Sequence, residues 1–72
     1  MEQRTYHDLF EMVPIGEENA IPSRAIWKRF GIWSPWHIRV KLKAMVADGA
    51  IERRLVRRGA GFVNLYFRSR HR

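Results

Sequence analysis

Gly31 and the pair Ser34-Pro35 stand three residues apart, and together they force one helix to end and another to begin almost at once. Upstream, Ile26 and Phe30 lie one helical turn apart in a segment that opens at Ser23, a good N-cap, and is expected to be helical from about Arg24 to Phe30. Glycine closes such a helix because it takes the left-handed conformation without steric cost. Downstream, the Ser34 hydroxyl can accept from the free amides of a first turn, and a proline at the first helical position loses no hydrogen bond. Ile38, Leu42 and Met45 then recur at helical spacing until about Asp48, and Gly49 stops the run. Two helices joined by three or four residues that include a glycine form a helix-turn-helix.

After Gly49 the period changes from helical to alternating. Residues 50–56 and 62–68 are rich in β-branched, aromatic and leucine side chains, and the segment Arg57-Arg58-Gly59-Ala60-Gly61 between them is expected to be a basic hairpin tip. Val63, Leu65 and Phe67 fall on one face of the second strand, and Phe62, Asn64, Tyr66 and Arg68 on the other. Arg53 shares a face with Ile51 and Leu55, so it is expected at the core edge with its head turned outward. Arg54, Arg57 and Arg58 are freer to reach a polyanion. Ahead of the corner, Tyr6, Leu9, Phe10 and Val13 share one helical face, with Thr5 as N-cap and Pro14 as terminator. Ile15 to Asn19 reads as a polar connection, and Ala20-Ile21-Pro22 as at most a brief edge strand. The expectation is one domain over residues 1–72, with its core in about 5–68 and a basic tail at 69–72; Arg68, Arg70 and Arg72 would add a nonspecific basic arm.

Charge narrows the partner. Residues 1–22 hold one basic residue and five acids, whereas residues 23–72 hold thirteen basic residues and two acids, which leaves the chain at +7. A split of this size implies one side that faces a polyanion. Cysteine is absent, so no disulfide or thiolate chemistry is available, as suits a reducing cytosol. No apolar run approaches the ~18 residues that cross a membrane, and no signal segment opens the chain. Cytoplasmic, nucleoid-associated residence is therefore expected. His7, His37 and His71 lack carboxylate or thiol partners at metal-ligand spacing, and Ser23, Ser34 and Ser69 read as two caps and a tail residue. No convergent acid, base and nucleophile suggests an enzyme, and no cofactor, metal or small ligand is implied.

On a helical wheel, Ile38, Leu42 and Met45 form the core side of the third helix, and Trp36, Val40, Lys43 and Ala47 lie opposite. Arg39 and Lys41 occupy the flanks, with His37 and Ala44 between flank and front. If the front of this helix enters a major groove, Trp36, His37, Arg39, Val40 and Lys43 are the residues that arrive there. Arg39 can fork onto guanine or phosphate, Lys41 and Lys43 suit phosphates, and Val40 suits a thymine methyl. The helix carries no Asn or Gln to read adenine, so no target sequence follows.

The register AIWKRFGI, a short turn, I-x3-L-x2-M-x3-G-A-I-E-R-R and then R-R-G-A-G-F resembles the winged helix-turn-helix family over roughly residues 20–68. In size the chain is similar to small single-domain bacterial or phage transcriptional regulators. The resemblance implies an α+β fold in the order helix, strand, helix, helix, strand, strand, with an antiparallel hairpin as the wing. It implies sequence-specific binding of double-stranded DNA, with the third helix in the major groove and the wing, about Val56 to Phe62, on backbone or minor groove. Ser34, Trp36, His37, Arg39, Val40, Lys41, Lys43, Arg54, Arg57 and Arg58 are the residues so assigned. Ile38, Leu42, Met45 and Ile51 would be core. Trp27 departs from the family, which keeps a small residue four positions before the turn glycine. Either the two helices are spread there or the register shifts by a step near Ala25.

Half-sites pair with two-fold proteins, so a homodimer is one expected assembly. Trp36 and Val40 also leave a protein-interaction module open, with polymerase or another regulator as partner. An RNA-binding module that stacks bases on Phe62 and Tyr66 is a further alternative.

Overall fold

The structure, a computed structural model, describes residues 6–70. Helix α1 spans Tyr6–Met12 and a 3-10 turn spans Glu17–Asn19; strand β1 (Ile21–Pro22) leads into α2 (Ser23–Phe30) and α3 (Pro35–Ala47), and β2 (Glu52–Arg58) and β3 (Gly61–Phe67) follow. The fold is α+β, three helices with a three-stranded antiparallel sheet. Thr5, His71 and Arg72 lie outside the described residues.

The corner forms as its residues dictate. Gly31 takes φ 87° and its N–H donates to the Trp27 carbonyl at 3.0 Å. Ser34 Oγ accepts from the His37 N–H at 3.1 Å, with Pro35 first in the helix. The start of α2 differs from expectation. Pro22, extended at φ −76° and ψ 164°, holds the cap position, and Ser23 is already helical with no cap bond to replace it. The chain passes from β1 into α2 with no loop between them, which leaves Ser23 no room to stand outside the helix.

The brief edge strand left open at residues 20–22 forms, and it joins the hairpin in a three-stranded sheet. In space its order is β1-β3-β2, with the last strand in the middle. Ile21 pairs with Tyr66 and Pro22 with Leu65, and a two-residue edge is where a proline without an N–H can be accommodated. The β2–β3 ladder continues through Arg57↔Phe62 to Arg58↔Gly61. The turn is therefore Gly59-Ala60 alone, and both arginines are strand residues rather than loop residues. Gly59 supplies the positive φ, 58°, that a two-residue hairpin turn requires at its first position.

Leu9, Val13, Ile26, Phe30, Ile38, Leu42, Met45, Ile51 and Tyr66 form one buried core to which all three helices and both hairpin strands or their approaches contribute. Each such side chain stabilises the fold by roughly 1.5–3 kcal/mol relative to exposure. Tyr66 settles which face of β3 meets the helices: it is the Phe62–Asn64–Tyr66 face. Arg68, expected in a free basic arm, is instead structural. Its Nε donates to the Val13 carbonyl at 2.7 Å, its guanidinium lies 4.8 Å from the Phe10 ring centroid, and its backbone pairs with Pro14 and Gly16. A cation and donor at the end of α1 satisfies a carbonyl that the helix leaves unpaired. Arg70 pairs with Glu18.

Candidate nucleic-acid interface

The rotation of α3 is set by Ile38, Leu42 and Met45, all fully buried. The opposite side therefore faces solvent. Trp36 is 66% exposed and Val40 41%, and Arg39 and Lys43 are exposed beside them. His37 and Lys41 are half-buried. The His37 ring stacks on Trp33, with centroids 4.1 Å apart and planes 14° from parallel, so it is held against the turn instead of standing at the front. Ser34 uses its hydroxyl oxygen as the helix cap.

Directly opposed residues on antiparallel strands share a face. Arg53 opposes Tyr66, Leu55 opposes Asn64 and Arg57 opposes Phe62. All six therefore belong to the face that Tyr66 turns toward the helices. Burial raises the Tyr66 pKa above its ordinary 10.0, and the positive charges of Arg53 and Arg39 act against that rise. Both guanidinium groups thus lie within electrostatic reach of one hydroxyl, one from β2 and one from α3. The exposed side of α3 and the inner face of the hairpin are the two parts of the candidate interface.

Arg54 lies elsewhere. It opposes Leu65 on the outer face of the sheet and sits 2.9 Å from a Glu17 carboxylate oxygen. Expected to be free for a phosphate, it already has an acidic partner. Arg58 shares that outer face at the very tip, opposite Gly61. Of the residues assigned from sequence, the structure gathers Trp36, Arg39, Val40 and Lys43 on the exposed side of α3 and puts Arg57 on the Tyr66 face of the hairpin. It sets Ser34, His37 and Lys41 at the margin, Arg58 at the tip and Arg54 on the far side.

Three further residues belong to the candidate interface: Arg53, Leu55 and Phe62. Leu55 is 60% and Phe62 67% exposed. The alternation of β3 was visible in the sequence, but only the burial of Tyr66 says which set faces the core. That burial, at 6% exposure, also removes the base-stacking platform expected of Phe62 and Tyr66, because a core ring has no free face.

Trp27 lies in the second turn of α2, partly buried against the core. With Ser23, Arg24, Pro35 and Arg39 it lines a cleft of about 260 Å³, and its Nε1 donates to the Trp33 carbonyl at 2.8 Å. The indole thus braces the turn. Arg24 adds a cation at the rim of that cleft. A larger hollow of about 440 Å³ lies at the other end of α3, between Phe10, Glu52 and Arg70. Its arginines, Arg68 and Arg70, are engaged with Val13 and Glu18.

Comparison with protein-family models, with curated proteins and with solved structures gave no match for this chain. Among the described residues no helix is long and apolar enough to cross a membrane.

Proposed function

We propose that this chain is a winged helix that binds double-stranded DNA as a small transcriptional regulator. α3 enters the major groove and the β2–β3 hairpin lies along the backbone or minor groove as the wing. The observation that carries this reading is the set of exposed cations and apolar side chains on the side of α3 opposite its buried triplet and on the Tyr66 face of the hairpin. Arg39 and Lys43 have the reach to meet phosphates or a guanine edge, Val40 a thymine methyl, and Arg57 a phosphate beside the groove. Arg54, paired with Glu17, steadies the sheet and contributes little to binding.

Exposure of Trp36 supports a second reading, in which the same surface docks a protein. The two are separated by substitution. In duplex gel shifts, replacing Arg39 and Lys43 together with alanine weakens DNA binding by more than tenfold, while Trp36→Ala changes it less. The reverse order, together with Trp36-dependent capture of a protein, points to the second reading.

A further inference from the structure

We infer that the hairpin is a wedge that bends the duplex, with Phe62 entering a base step. The inference rests on the DNA-binding proposal and adds an activity to it. Phe62 is 67% exposed and stands next to Gly61 at the end of a tight two-residue turn, so nothing bulky separates it from the tip. Arg57 lies directly opposite on the same face, and Leu55 is its diagonal neighbour, 60% exposed. On the outer face Val56 and Val63 oppose each other and are half-buried. The hairpin thus places its two most exposed apolar side chains together on the face that carries Tyr66.

Large apolar side chains cost free energy in water, and a wing that only touched phosphates would need none of them. Their setting favours DNA over an apolar partner. Arg53 and Arg57 share their face, and Arg58 lies at the tip, so the ring is carried by cations that attract two flanking backbones. Apolar residues delivered this way partly unstack a base step from the minor groove and kink the duplex by roughly 20–90°. Pyrimidine–purine steps such as TA open most readily, so the wedge favours a site with such a step one groove away from α3.

The test uses the full chain and a 40-base-pair duplex with a donor and an acceptor dye at its two ends, with binding read separately by anisotropy. On binding, the native protein shortens the end-to-end distance. Phe62→Ala, added until anisotropy shows the duplex saturated, leaves that distance as in free DNA, and Phe62→Leu restores the bend. Phe62 is outside the core, and circular dichroism of each variant verifies the fold. Binding by the native protein without bending overturns the wedge and leaves DNA binding intact, as does equal bending by Phe62→Ala. Absence of duplex binding by the native protein overturns both.

Discussion

Tyr66 sits where the helices meet the hairpin, and its hydroxyl makes the junction sensitive to alkali. Burial disfavours the phenolate, so the folded state holds the proton at a pH where the unfolded chain has released it. The resulting stability is complete below pH 10 and is lost as pH rises beyond that value. Chemical denaturation between pH 8 and 11.5 should therefore show the native protein losing stability above pH 10, and Tyr66→Phe losing less over the same interval. Ser34 has a simpler role. Ser34→Ala removes the acceptor of the His37 N–H and should cost about 1 kcal/mol in urea unfolding. The Ser34 cap and the core triplet of α3 were legible in the sequence because they depend on near neighbours. Tyr66 and Arg68 were not. Both faces of β3 carry apolar side chains, and only long-range packing chooses between them. Arg68 finds its partners 55 residues away, at the Val13 carbonyl, where no local pattern points.

Helix α3 and the hairpin differ in how strongly local chemistry fixes them. Ser34-Pro35 and Gly49 bracket α3 tightly, and the expected span is nearly the observed one. The hairpin turn was placed too broadly, because two arginines and three small residues look like a loop. The strand ladder overrides that preference and carries Arg57 and Arg58 up to Gly59. β1 was undecided for a related reason: two residues gain their strand character only from the neighbouring β3. The face on which each arginine falls has a consequence for binding. Arg57→Ala should weaken duplex binding and lower the salt slope by about 0.9. Arg54→Ala should leave that slope unchanged and alter stability by less than ~1 kcal/mol, since an exposed ion pair with Glu17 stabilises little. Isothermal binding at several salt concentrations with both variants measures the contrast.

Across the whole molecule, one core holds an acidic first segment and a basic remainder together. Part of that opposition is internal, as Glu17 and Glu18 meet Arg54 and Arg70. Arg39 and Lys43 of α3 and Arg53 and Arg57 of the inner hairpin face remain exposed, and under the proposed function they meet the DNA. If Arg39, Lys43, Arg53 and Arg57 each neutralise one phosphate, the logarithm of the duplex affinity should fall against the logarithm of salt concentration with a slope of about −3.6. Between 50 and 200 mM salt that amounts to a loss on the order of a hundredfold. The salt dependence of binding to double-stranded DNA is thus the most direct measurement. A slope near that value, reduced in Arg39→Ala and Arg57→Ala but not in Arg54→Ala, is the expected result. A slope near zero, or no binding to duplex at low salt, contradicts it.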